Sequence, residues 1–280
     1  MKTENELKQL VKEKYSEIAL QSKDDNAASC CGAGGCSTEV YNIMTDDYTT
    51  LEGYNPDADL GLGCGLPTQF AKIKKGDTVI DLGSGAGNDC FIARKETGET
   101  GKVIGIDFTD AMIEKARINA EKIGYHNVEF RKGDIEKMPV TANTADVIVS
   151  NCVLNLVPNK DGVFKEMYRV LKPGGHFSIS DIVLIGKLPN SIIKVAEMYA
   201  GCVTGAIQKN DYLNLITTNG FKNVVVQKEK SVIIPDDILK NYLNTEQLND
   251  FKNSDTGIFS ITVYAEKPIE KSCCESDCCK

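Results

Sequence analysis

The chain ends in SCCESDCCK, two adjacent cysteine pairs, Cys273-Cys274 and Cys278-Cys279. A third pair, Cys30-Cys31, lies near the other end with Cys36 close behind it, and Cys64, Cys90, Cys152 and Cys202 stand singly between. Neighbouring thiolates select soft metals and metalloids over hard cations. The total of 11 is odd, so the cysteines cannot all pair within one chain. In a reducing cytosol such a set reads as metal-binding or catalytic, not as a disulfide framework. An isolated cysteine can also be a small buried apolar residue. That suits Cys90, but it does not suit adjacent pairs.

A second constellation is Asp81-Leu82-Gly83-Ser84-Gly85-Ala86-Gly87-Asn88. It follows an apolar strand and opens a helix, where nucleotide-type cofactors lie in α/β sheets. The dinucleotide fingerprint needs glycine at its first, third and sixth positions. Counted from Gly83, the sixth position is Asn88, and the third glycine falls early, at Gly87. That counts against NAD or FAD and leaves S-adenosylmethionine, which has no pyrophosphate and carries a cationic amino group and sulfonium. Asp81 suits those charges, and the helix N-terminus formed by Gly83, Ser84, Gly85, Gly87 and Asn88 suits a carboxylate. Asp107 closes the next strand, placed to accept ribose hydroxyls. Asp134 closes the third, placed for an adenine amino group, with Met112 and Ile135 offering apolar contact to the ring. Asn151 closes the fourth and is assigned to the same cofactor edge. Each acid alone could be a helix cap or turn residue. Three at consecutive strand ends beside a glycine turn point jointly to a cofactor.

These residues need a scaffold. From Gly76 onward, strands and helices alternate. Strands are expected at 78–83, 102–108, 128–134, 145–151 and 176–183, and helices at 88–97, 109–124 and 160–171. Lys172-Pro173-Gly174-Gly175 reads as a turn. The alternation predicts an α/β fold, a Rossmann-like, doubly wound, mostly parallel sheet. Ahead of it, 5–20 predicts a helix with Leu7, Leu10, Val11, Tyr15 and Ile18 on one face. A small-residue loop then carries Cys30, Cys31 and Cys36. After Leu188-Pro189 the pattern changes to a smaller α+β region, with helices at 191–203, 211–220 and within 236–253 and strands at 223–230 and 257–267. The expected divisions are 1–71, an N-terminal helix and cysteine-bearing loops; 72–185, the cofactor domain; 186–267, the C-terminal region; and 268–280, a disordered tail.

The acceptor of the methyl group lies beyond the fourth strand, and the first residue there is Cys152. Methylation of oxygen or nitrogen usually needs a base at that point. Asn151 to Leu156 contains no carboxylate and no imidazole. The two histidines, His126 and His176, read as a surface turn and a strand start at the opposite sheet end. A thiol at the transfer point favours a thiophilic acceptor. The net charge of -8 and the lack of any basic cluster argue against nucleic acid and anionic membranes as partners. The N-terminus has no signal-peptide pattern, and no apolar run approaches the ~18 residues of a membrane span, so a cytosolic protein is expected.

Residues 72–184 resemble the class I S-adenosylmethionine-dependent methyltransferases. GCGLP with Cys64, NCVLNLVPNKDGVFKEMYRVLKPGG with Cys152, GCVTGA with Cys202, and the upstream Cys36 and Cys30-Cys31 resemble the arsenite methyltransferases, from the first helix to about residue 220. That resemblance implies methyl transfer to trivalent arsenic, which arrives as a thiol conjugate and is held by Cys64, Cys152 and Cys202. It implies a redox role for Cys36 with Cys64 as its disulfide partner, and a dithiol reductant, thioredoxin or glutathione, that resets the enzyme. Cys273, Cys274, Cys278 and Cys279 then read as a site that captures As(III), or as a soft-ion sponge, and a monomer is expected. One position departs from the family: Leu62 stands where many members have an aromatic residue, with Tyr15 or Tyr54 as candidate substitutes. The alternatives are a methyltransferase for a small organic acceptor such as a quinone precursor, and a thiol-rich protein that only sequesters metalloids.

Overall fold

The computed structural model describes residues 4–20, 46–188, 203, 205–234, 236–240, 243–252, 254 and 256–269. Seven strands form one sheet: β1 (Thr78–Leu82), β2 (Lys102–Asp107), β3 (Val128–Lys132), β4 (Ala145–Asn151), β5 (Leu171–Ile185), β6 (Lys222–Ser231) and β7 (Gly257–Glu266). Their order is β3-β2-β1-β4-β5-β7-β6. Strands β1 to β5 run parallel, and β7 is antiparallel to both β5 and β6. The order changes direction between β1 and β4. In such sheets that switch point opens a crevice at the carboxyl ends of the strands.

The parallel strands are apolar throughout because both faces are covered. Side chains alternate between faces with period two. Val79, Val103, Val147 and Val149 enter one core with Phe91 and Met112. Ile80, Leu82, Ile104 and Ile148 enter the other with Phe164 and Phe177. Helices α3 (Asn88–Thr97) and α4 (Asp110–Lys122) cover the first face, while α5 (Lys160–Val170) and α6 (Lys209–Thr218) cover the second, with α1 (Glu4–Ala19) and the short α2 (Pro67–Phe70) preceding them in the chain. The two C-terminal strands, drawn from the region past residue 186, complete the same sheet, so the boundary near 185 divides the sequence and not the sheet.

Two local expectations are corrected. Residues 172–175 are not a turn ahead of β5 but a bulge within it. Leu171 pairs with Ala145 and His176 with Val147, so the intervening residues face Asp146 alone. Helix α1 buries Ile18, with Lys8, Val11 and Tyr15 half-buried, whereas Leu7 and Leu10 are exposed. The stripe 8, 11, 15, 18 keeps the 3–4 spacing of one helical face, and Lys8 takes the place expected for the leucines. The charged stretch after 236 forms two short helices, α7 (Asp236–Leu239) and α8 (Thr245–Lys252). The helix expected over 191–203 falls almost wholly outside the described residues, as do the tail and the loop bearing Cys30, Cys31 and Cys36. Among the described residues no helix is long and apolar enough to cross a membrane.

Phe177 lies at the centre of β5, fully buried, with ring centroids 6.2 Å from Phe164 and 4.9 Å from Phe221. Phe177→Ala should lower the unfolding free energy by about 3–5 kcal/mol, read from urea unfolding at constant slope.

Candidate functional site

The crevice at the switch point is a cavity of about 1140 Å³ including its open mouth. The glycine turn forms its floor. Gly83 and Ser84 donate backbone N–H groups to the Ile106 carbonyl, which binds the turn to β2. Helix α3 opens on Gly87 with no side-chain cap, so its first N–H groups face the crevice unclaimed by a capping side chain. Ser84 Oγ and Asn88 Oδ1 line the cavity, are buried, and have no hydrogen-bond partner among the described residues. Buried polar atoms normally have partners, so a ligand with its own donors and acceptors suits this floor.

Five aspartates line the cavity in addition: Asp59, Asp81, Asp89, Asp107 and Asp134. Asp81, Asp89 and Asp107 are buried and have raised pKa values. Burial and then the neighbouring Asp89 push Asp81 well above the usual carboxylate range, while the Cys90 thiol, donating to its Oδ2 at 3.2 Å, opposes the shift. Burial raises Asp89 to about 6 against hydrogen bonds from Tyr48, Asn151 and Thr68. Burial also raises Asp107, opposed by the Thr109 and Gly85 N–H groups at 2.8 and 3.1 Å. Buried carboxylates this close together are costly unless a cation joins them. A ligand with a sulfonium and an ammonium supplies such charge, so S-adenosylmethionine fits the residues present.

Met112 and Ile135 line the cavity. Asp134 lines it too, but its carboxylate is already engaged. It accepts from the Glu136 N–H at 2.9 Å and from Lys8 Nζ at 2.7 Å. Lys8 also donates to Glu136, and Val11 and Tyr15 line the cavity beside it, so α1 roofs the crevice. Partly exposed ion pairs contribute little. The roof therefore rests mainly on the apolar packing of Tyr15, Ile18 and Ala19. The aromatic rings at the cavity wall are Tyr15, Tyr48 and Phe108, beside Leu62. Tyr54 instead packs behind, against Tyr48 and Leu66, with its hydroxyl on Asp59.

At the acceptor end, Asn151 has a role that its position in the sequence did not disclose. Its Oδ1 accepts the Cys64 N–H at 3.0 Å, and its Nδ2 donates to the Gly65 carbonyl at 2.8 Å and to the Tyr48 hydroxyl. Cys64 stands between glycines for a steric reason. A Cβ on Gly63 would lie 2.7 Å from Asn151 Nδ2, and one on Gly65 2.5 Å from Ser180 Oγ. Cys152, next to Asn151, donates its N–H to the Ser180 carbonyl at 2.8 Å and adopts φ 61. That left-handed conformation is uncommon for a residue with a Cβ, and such strain clusters at functional sites.

Cys64 and Cys152 are both buried and share one apolar cluster with Ile182, Leu188, Val203 and Ile258. Cys152 also reaches the cofactor cavity. Cys202 lies outside the described residues, but its neighbour Val203 is a member of this cluster. Cys36 and the tail cysteines also lie outside them. Among the described residues no group of three His, Cys, Asp or Glu side chains is placed to hold a metal ion. Behind the thiols, burial raises Asp181 to about 7 against the pull of Lys160.

Asp89 and Tyr48 were not legible as site residues. An acid in the first helical turn reads as a partner of the helix dipole, and DDYTT offers no pattern at all. His176, by contrast, sits away from the site, its Nε2 2.6 Å from the Ala71 carbonyl oxygen.

A family model described as a methyltransferase domain matches residues 73–220. The chain is 39% identical over 278 residues to the arsenite methyltransferase of Halobacterium salinarum, covering 94% of this chain and 67% of that protein. It is 31% identical over 236 residues to the arsenite methyltransferase of Aquipseudomonas alcaligenes, covering 82% of this chain and 66% of that protein. The chain thus spans about two thirds of the length of these curated relatives. The crystal structure of CrArsM, an arsenic (III) S-adenosylmethionine methyltransferase from Chlamydomonas reinhardtii, superposes with a TM-score of 0.62 at 32% identity, over 82% of this chain and 73% of that one.

The raised Asp89 sets a pH dependence with a definite sign. A cationic ligand prefers the ionised form, so calorimetry should find S-adenosylmethionine binding more tightly as pH rises through about 6, by at most about tenfold per pH unit per proton released. The free protein responds the other way. The folded value lies above the ordinary 3.8, so this group's contribution to stability is full below 3.8 and lost as pH rises through about 6. A flat binding profile would show that the cation does not face Asp89.

Proposed function

The chain belongs to the arsenite methyltransferase family, and we propose that it transfers methyl groups from S-adenosylmethionine to trivalent arsenic held by Cys64, Cys152 and Cys202. The observation that carries this reading is the pairing of a carboxylate-lined crevice with two buried thiols at its far end, Cys152 being common to both. When bound, S-adenosylmethionine supplies a methyl group on a positively charged sulfur, which the lone pair of arsenic can accept without removal of a proton.

The residues then divide the work. Asp81, Asp89 and Asp107 hold the cationic donor, the open end of α3 with the Ser84 hydroxyl receives its carboxylate, Asn88 Oδ1 accepts from one of its N–H or O–H groups, and Met112 and Ile135 pack against its ring. Asp134 serves the adenine end once Lys8 shares or yields it. Cys64 and Cys152, joined by Cys202, hold the arsenic as thiolates. An arsenic trithiolate carries no net charge, which suits the apolar cluster around these thiols. Separate thiolates there would bear a large desolvation cost. Orientation would be the main contribution to rate, since reacting atoms held about 3–3.5 Å apart and aligned need little further reorganisation.

Methylation leaves arsenic formally pentavalent. Two electrons restore it when the sulfur of Cys36, giving up its proton, attacks the arsenic-bound sulfur of Cys64: the Cys36–Cys64 disulfide forms, the Cys64–arsenic bond breaks and leaves its electron pair on arsenic, and thioredoxin or glutathione reduces the disulfide through thiol exchange. The arsenic arrives as a thiol conjugate, which exchanges its ligands for those of the protein. Capture by the tail pairs Cys273-Cys274 and Cys278-Cys279 raises the local concentration of the ion. This chemistry belongs in a cytosol, where reductant is abundant.

A base-assisted methylation of a small organic acceptor shares the whole cofactor crevice. Asp89 and Tyr48 do stand near Asn151, yet Asp89 is bonded to Tyr48 at 3.0 Å and is surrounded by other acids, which suits a cation better than a proton shuttle.

The deciding assay incubates the protein with labelled S-adenosylmethionine, arsenite and glutathione and separates the arsenic species. Methylated arsenic is expected from the wild type, with losses of about 10³-fold or more in Cys152→Ser and Cys202→Ser. Cys36→Ser should spare a substrate that is already monomethylated more than it spares arsenite. Undiminished methylation in the Cys152 and Cys202 variants would overturn the thiolate site. No methylated arsenic from a protein that binds arsenite would leave a sequestering protein.

A further inference from the structure

Asp181 is fully buried on β5, one residue beyond the Ser180 carbonyl that accepts the Cys152 N–H. No role assigned above uses it, although an interior carboxylate is costly unless its oxygens are well supplied with donors. They are supplied by separate segments. Oδ1 accepts from Asn155 Nδ2 at 2.8 Å and from the Ile182 N–H at 3.0 Å, and Oδ2 accepts from the Tyr212 hydroxyl at 3.3 Å.

Asn155 lies in the 3-10 turn Leu154–Leu156 that follows Cys152, and its Nδ2 also donates to the Ile182 carbonyl at 2.6 Å. Tyr212 belongs to α6, which begins shortly after Cys202. The two segments meet directly: a Cβ on Gly205 would stand 1.9 Å from the Asn155 carbonyl oxygen. The Leu184 N–H holds the second segment to β5 through the Ile207 carbonyl at 2.9 Å. Lys160 is the cation that faces Asp181, from the start of α5, and Tyr212 feels both Cys64 and Cys152. One carboxylate therefore ties the turn after Cys152 to the helix that follows Cys202.

We propose that Asp181 is a positioning residue for arsenic capture: through Asn155 and Tyr212 it holds the turn that follows Cys152 against residues 205–212, and so fixes Cys152 for the arsenic. The assignment rests on the reading that Cys152 ligates As(III). Groups that orient a metal's ligands without touching the metal act in this way. Asp181→Asn keeps the shape but puts an amide donor against the amide of Asn155 or the hydroxyl of Tyr212. Tyr212→Phe removes a single hydroxyl.

The test titrates arsenite, without added thiol, into the full chain with Cys30, Cys31 and the four tail cysteines replaced by serine, so that only the proposed site reports, and follows the near-ultraviolet arsenic–thiolate absorbance. S-adenosylmethionine affinity and thermal unfolding are measured on the same samples, with Cys152→Ser run alongside. Asp181→Asn should weaken arsenite binding by about 10–100-fold and raise the arsenite KM more than it lowers kcat. Its affinity for S-adenosylmethionine should stay within about twofold, since the crevice carboxylates are untouched. Tyr212→Phe should shift arsenite binding in the same direction by less. Unchanged arsenite binding in Asp181→Asn, or equal losses for both ligands, would overturn the proposal. If Asp181→Asn does not fold, Tyr212→Phe decides on the same two readouts. Arsenite binding that survives Cys152→Ser would instead overturn the thiolate reading, and the role of Asp181 with it.

Discussion

The amide of Asn151 is the joint on which both halves of the site depend. It closes β4 at the point where the strand order reverses, and the next residue is Cys152. Its oxygen holds the backbone of Cys64 and its nitrogen holds the Gly65 carbonyl, so the segment bearing Cys64 is fixed to the strand bearing Cys152. The same nitrogen reaches Tyr48, which bonds Asp89 at the cofactor end. The glycines at 63 and 65 are a consequence of this joint, because side chains there would occupy the space of Asn151 and Ser180. An aspartate at 151 would accept from Cys64 equally well but could not donate to Gly65.

Around that joint the molecule separates charge from apolar surface. The crevice gathers buried carboxylates, each with its pKa raised mainly by burial and each more stable beside a cation. The thiols lie beyond it among aliphatic side chains. A cationic donor and an uncharged arsenic–thiolate acceptor match the two environments in that order. Cys90 shows that chemistry does not follow from residue type alone. It is a buried cysteine in the cofactor half, its thiol committed to Asp81, and burial pushes it far above the usual thiol range. Thiolate chemistry is thereby disfavoured at Cys90.

Much of this arrangement is written in local sequence. The alternation in TVIDL assigns Val79 and Ile80 to opposite cores, and the turn from Asp81 to Asn88 marks the crevice because glycine spacing and strand-end acids are short-range signals. What the sequence hides depends on distant contacts. Lys8 reads as a polar position on α1, yet α1, docked through Tyr15, Ile18 and Ala19, turns it toward the cavity, where it meets Asp134 and Glu136 from more than a hundred residues away. The Lys-Pro-Gly-Gly stretch reads as a turn because proline and glycine mark breaks, whereas the sheet absorbs it as a bulge. The strands near 223 and 257 carry no mark of which sheet they join, because antiparallel pairing with β5 is a tertiary choice. Tyr48 and Asn151 become site residues only through one another.

In the proposed site, protein sulfur alone holds the arsenic. X-ray absorption at the arsenic edge reads the ligand atoms directly, on protein whose Cys30, Cys31 and four tail cysteines are replaced by serine, loaded with arsenite and freed of excess reagent without any added thiol. A first shell of three sulfur neighbours is expected, reduced in number when Cys152 is also replaced by serine. A first shell dominated by oxygen, or one that the Cys152→Ser substitution leaves unchanged, would contradict it.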